Sequence, residues 1–121
     1  MAIIYQWMLE EDFNGNVQVR KHEVKAKETA MQYRVTTNAF IDFRRTLPKD
    51  KIDSISMSLT GKPIYSSLSP SDNIALANLK RWYRDYANQR VAQFKAKIAE
   101  HQSKLLQVEN LSNKEENNVD D

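Results

Sequence analysis

The chain has 121 residues, 18 basic and 16 acidic, and no cysteine, which excludes a disulfide framework and any thiolate metal site and fits a reducing compartment. That length suits one core with dependent elements and not several independent domains. The formal charge of +2 is unevenly spread: residues 109–121 hold five acids against Lys114 alone, a net of −4, which leaves +6 on residues 1–108 and suits anionic ligands in general.

No apolar run approaches the roughly 18 residues needed to span a bilayer. Met1 to Glu10 also has no basic region ahead of its apolar stretch, so the expectation is a soluble protein that is not exported. Ile3, Ile4, Tyr5, Trp7, Met8 and Leu9 form a short, nearly continuous apolar run rich in β-formers, a first strand over residues 2–9. Asn14-Gly15 follows, a hairpin signal because both residues tolerate positive φ. The second strand runs from Val17 to about Val24 with alternating polarity, hence one wet face. Lys25 to Ala30 is expected to turn the chain, and Met31 to Thr36 alternates as a third strand.

Residues 38–53, with Phe40, Ile41, Phe43, Arg44, Arg45 and Pro48, read as a connection with a short helical turn at Lys49. Ile55 to Leu59 alternates, Thr60 to Pro63 turns, and Ile64 to Leu68 returns as a short edge strand. Ser69-Pro70-Ser71-Asp72 opens a helix: Ser69 as cap, Pro70 in the first helical position, Asp72 completing a capping box. Residues 71–109 contain no glycine or proline, and some forty helical residues would extend about 60 Å.

The expected fold is α+β, an N-terminal antiparallel β-meander of four to five strands (residues 2–68) followed by one long C-terminal helix (70–108) and an acidic disordered tail (109–121). A helix of that length cannot lie wholly on a few short strands. Its apolar row, Leu76, Leu79, Tyr83, Ala87, Val91, Phe94, Ile98, His101, Leu105 and Val108, settles into regular 3-4 spacing from Val91 onward. We therefore expect the early part to pack on the sheet and the later part to meet other copies in a coiled coil or bundle. A break near Glu100, with the helix folding back on itself, is the alternative.

Catalytic signatures are absent from the sequence. There is no G-x-S-x-G, and with Gly15 and Gly61 as the only glycines no phosphate-cradling loop can form. His22 and His101 lie too far apart in sequence to suggest a metal site; His22 reads as a surface residue and His101 as a register residue in the seam. Glu10-Glu11-Asp12 and Asp50 with Asp53 read as solvated loop charges. The expectation is a protein without enzymatic activity, cofactor or metal.

The most suggestive constellation is Trp82, Tyr86 and Arg90, one ridge at four-residue spacing beside the apolar row. An aromatic face stacks a base and a guanidinium grips phosphate, so the ridge suits a nucleotide. The competing reading is core aromatics with Arg90 reaching outward to water. Arg44-Arg45 and Tyr65 can join the same site if the sheet folds against the helix start.

The strand ending at Ile64-Tyr65-Ser66-Ser67-Leu68, the Ser69 to Asp72 cap and the long Arg- and aromatic-bearing helix with a polar tail resemble, over residues 3–108, the type-one Thoeris anti-defence proteins of phages. The resemblance implies a homo-oligomer, a dimer or a hexamer, that acts as a sponge in the cytoplasm of the infected host. Such a sponge binds a cyclic ADP-ribose isomer made by TIR-domain enzymes without cleaving it, and some relatives take cyclic oligonucleotides. It implies pockets between protomers, with Tyr65 or Tyr86 against adenine, Arg84, Arg90 or Arg44 on the diphosphate, and Asn73 and Asn88 reading base or ribose. The rival readings are a phage protein-binding inhibitor or assembly protein, anti-CRISPR-like in using the basic aromatic helix face, and a nucleic-acid binder, which the +6 body favours and the lack of any reading motif disfavours.

Overall fold

The first strand, β1 (Ala2–Glu11), is bonded on both sides, and both of its faces are packed, which explains why its apolar residues are continuous and not alternating. Ile4 and Met8 point to one face and Trp7 to the other, all buried, with Tyr5 and Leu9 partly buried beside Trp7. The fold is that of a computed structural model describing residues 1–37 and 45–119, the last eight in backbone only. It divides into two compact units, Met1–Tyr83 and Arg84–Asp121.

In the first unit β1, β2 (Val17–Glu28), β3 (Gln32–Val35) and β4 (Thr46–Pro48) follow one another as a meander. A 3-10 turn at Lys49–Lys51 leads to β5 (Ser54–Met57) and β6 (Pro63–Ser67), and β6 pairs with β1. The result is one curled six-stranded antiparallel sheet of order β4-β3-β2-β1-β6-β5. The α+β class and the helical turn at Lys49 are as expected; the sheet has six strands and not four or five.

Other differences have local causes. β2 continues to Glu28 because Ala26 to Glu28 pair with β3, so the chain turns at Thr29–Met31, where the Thr29 hydroxyl and amide both bond the Gln32 carbonyl. At the β1–β2 turn Gly15 is in the left-handed region (φ 81°) while Asn14 is not. The Asp12 carboxylate accepts from the amides of Asn14 and Asn16 at 2.9 Å each, so an aspartate-capped turn replaces a two-residue hairpin. The largest correction concerns β6, which is no edge strand: all five residues are buried between β1 and β5. Ile64 and Tyr65 serve opposite faces, and the small Ser66 and Ser67 are as enclosed as they are. The edges are β4 and β5.

Two cores result. Ile4, Met8, Val24, Ala26, Tyr33, Val35, Leu47 and Ile64 form one cluster on one side of the sheet, with Ala2 and Ile52 packed against them. Trp7 and Tyr65 on the opposite side meet Ala75 and Leu79.

The helix α1 (Asp72–Val119) is continuous in backbone, so there is no fold-back near Glu100, and helical structure runs past Asn110. Its cap is displaced from the expected residue. Ser71, and not Ser69, receives the Ile74 amide on its side chain (3.4 Å) and the Ala75 amide on its carbonyl (3.3 Å), while Ser69 accepts from the Ser71 amide. Asp72 is thereby freed from a capping box. No helix among the described residues is long and apolar enough to cross a membrane.

Candidate functional site

The helix start is fastened by chemistry distant in sequence. Trp7 buries its ring between Tyr65 (5.8 Å between centroids) and the helix, and its indole N–H donates to Asp72 Oδ1 at 2.9 Å. Lys21 of β2 reaches the same oxygen at 3.0 Å, donates to the Pro70 carbonyl at 3.2 Å, and lies 5.2 Å and 5.6 Å from the ring centroids of Trp7 and Tyr5. The indole bond first, then Lys21, holds the Asp72 carboxyl below the usual aspartate range.

Tyr65 lies beneath this clasp, 1% exposed. Burial, and after it the charge of Asp53, raises its phenol above the ordinary value. Asp53 takes a positive φ of 59°, donates its amide to the Ser66 carbonyl at 2.7 Å and accepts from the Ser67 hydroxyl. It is exposed, as a loop charge is, and it also fixes a structural corner. Glu10 likewise serves the fold, lying 3.4 Å from Arg20 and 3.7 Å from Lys62. With its ring occupied by Trp7 and the helix, Tyr65 offers no open face for a base within this unit.

The other expected site residues fall in different places. Asn73 is exposed in the first turn of α1. Arg84, Tyr86, Asn88 and Arg90 are all exposed on the helix within the second unit, and Arg44 lies outside the described residues. Arg90 places its guanidinium 5.2 Å from the centroid of the Phe94 ring, one turn on. Tyr86 is 44% exposed. Residues 80–97 carry six basic side chains against Asp85 alone, a local net of +5. Among the described residues none of Lys80, Arg81, Arg84 and Arg90 is ion-paired. Farther along, Lys104 pairs with Glu100 at 2.9 Å.

The same helix exposes Val91, Phe94, Ile98, Leu105 and Val108, each roughly half or more. An apolar row and a cationic row thus run side by side on one helix. Among the described residues no cluster of three or more His, Asp or Glu is placed to hold a metal.

Two features of the sheet were not visible in the sequence reading. Edge strands β4 and β5 flank a cavity of about 390 Å³ lined by Thr46, Leu47, Pro48, Lys51, Ile55 and Met57, which exists only because the sheet curls. A polar row crosses the sheet through paired positions His22, Gln6, Ser66 and Ser54. Gln6 is fully buried; its amide nitrogen reaches Ser66 Oγ at 3.5 Å, and its Oε1 has no partner. A glutamine inside an otherwise apolar run was the only sign of this row. Comparison of the chain with protein families, curated proteins and solved structures finds no match in any of the three.

Proposed function

We propose that this chain is a non-catalytic capture protein, a sponge that assembles through its long helix and sequesters a small phosphorylated signal of the cyclic ADP-ribose type. In the phage setting of the resemblance described above, it blocks TIR-based immunity in the cytoplasm of the infected host. The observation that carries the reading is the +5 stretch of residues 80–97, in which exposed Arg84 and Arg90 are not ion-paired and alternate with aromatic side chains. Guanidinium groups bind a diphosphate bidentately, and an exposed ring such as Tyr86 gives a purine a stacking surface. Sequestration needs affinity alone, with no acid, base or nucleophile poised over the ligand.

Native mass spectrometry of the protein mixed with cyclic ADP-ribose isomers and with cyclic oligonucleotides, followed by heat release, tests this. Stoichiometric binding with intact release is expected, and Arg84→Ala or Arg90→Ala should weaken it about tenfold or more each, the loss of one charge-assisted contact. Release of a product of altered mass, or no binding of any of these compounds, overturns the reading. The same basic face suits an acidic protein partner, the anti-CRISPR-like alternative. That alternative is favoured by stoichiometric binding to a protein together with indifference to nucleotides. Affinity for nucleic acid that falls steeply with salt would instead reveal backbone phosphate contacts.

A further inference from the structure

We infer that the segment 87–108 of α1 pairs with the same segment of a second copy in parallel and in register, with His101 facing its counterpart. This rests on the self-assembly invoked above and adds its geometry. Helices this polar and this exposed gain most of their stability from a covered apolar face, and residues 84–111 have almost none covered by the described residues. From Val91 to Val108 the apolar row exposes on the order of 500 Å², as much as the largest patches on monomers, which are often functional. Helix pairing over this length would cover that row and the stems of its flanking side chains, toward the roughly 800 Å² per partner of a standard interface.

Two independent features select the orientation. In heptad terms Val91, Ile98 and Leu105 occupy a, and Phe94, His101 and Val108 occupy d. In parallel pairing every layer meets itself, so the one polar residue forms a single His101 layer. In the fully overlapped antiparallel pairing His101 faces Ile98 twice, two layers each setting a polar ring against an aliphatic side chain. A lone polar layer is a known means of fixing register.

The flanking charges agree. Parallel packing brings Lys104 of one copy toward Glu109 of the other, twice by symmetry, and Lys104 Nζ, 2.9 Å from Glu100 of its own helix, can bridge both acids. It also brings Arg90 toward Lys95, likewise twice, a like-charge approach that is lessened because Arg90 is drawn over its own Phe94 ring. Antiparallel packing sets Lys97 against Lys104 twice and forms no opposite-charge pair at these flanking positions.

The native chain has no cysteine, so single-cysteine variants read orientation directly. Under mild oxidation the full-length Val108→Cys variant alone should form a disulfide dimer. An equimolar mixture of Val91→Cys and Val108→Cys should give only the two self-paired products. Cross-linking confined to the mixture, as the mixed product, overturns the parallel assignment. Absence of cross-linking in a protein that sediments as a dimer overturns the assignment of the seam itself. A monomer at micromolar concentration, with the Trp7 environment intact by fluorescence, removes both this inference and the assembly reading. Cross-linking at Val108 without nucleotide capture keeps the inference and removes the ligand.

Discussion

Replacing Leu79 by alanine tests how the helix start is held to the sheet. Leu79 is 1% exposed and shares its cluster with Trp7, Tyr65 and Ala75. The substitution removes about three methylene-sized groups, worth about 2.4 kcal/mol at 0.8 kcal/mol each, and leaves a cavity that the rigid rings of Trp7 and Tyr65 cannot fill. The expected loss is about 3 kcal/mol, within the usual range for buried leucine and a large share of the stability of a small domain. At about 4–8 °C per kcal/mol for a domain of this size, the melting temperature should fall by roughly 15 °C or more. Denaturant unfolding followed by tryptophan emission measures it, since Trp7 is buried in the same cluster, and the denaturant slope should not change. Gln89→Ala, at an exposed helix position outside the apolar row, is the control and should leave this transition in place. A loss below about 0.5 kcal/mol for Leu79→Ala, the level typical of surface sites, would refute the packing described.

Three further outcomes follow from the same geometry. The Asp72 carboxyl is held below its usual range by Trp7 and Lys21; a depressed folded value contributes stability that is present above the ordinary aspartate range and lost as pH falls through the lowered value. Asp72→Asn should therefore flatten the acid side of the stability profile, below about pH 4, and a profile identical to the parent would show the clasp to be without consequence. Glu28, lowered by its hydrogen bond and charge pairing with Lys49, acts in the same direction, so Lys49→Met should raise the midpoint of acid unfolding. The double replacement Gln6→Met with Ser66→Ala removes a buried unpaired acceptor together with its weakly bonded neighbour. It should be neutral or stabilising by about 1 kcal/mol in thermal melts, whereas a loss above about 2 kcal/mol would mean that the polar row is satisfied in solution.

Much of the fold was legible because it depends on local signals. The nearly continuous apolar run Ile3 to Leu9 marks a strand, and the serine and proline before Asp72 mark a helix start to within two residues. The position of β6 was hidden because three of the five residues from Ile64 to Leu68 are apolar, but Ser66 and Ser67 read as wet when they are only small. The cap was misplaced because Ser69 and Ser71 fit the same local rule, and the bond that assigns Asp72 another role comes from Trp7, 65 positions away. The basic aromatic ridge on the helix follows from four-residue spacing alone, so its exposed members were identifiable. Tyr65 was not distinguishable from them, since its enclosure depends on β1 and α1 meeting over it. The cavity between β4 and β5 requires the curl of the sheet, which no local pattern encodes.

Amide hydrogen exchange across residues 91–108, measured at several protein concentrations, tests the central claim that another copy covers the helical seam. Protection that rises with concentration and is lost in an Ile98→Asp variant, while β1 remains protected, is the predicted result. Fast exchange in this segment that does not vary with concentration would contradict it.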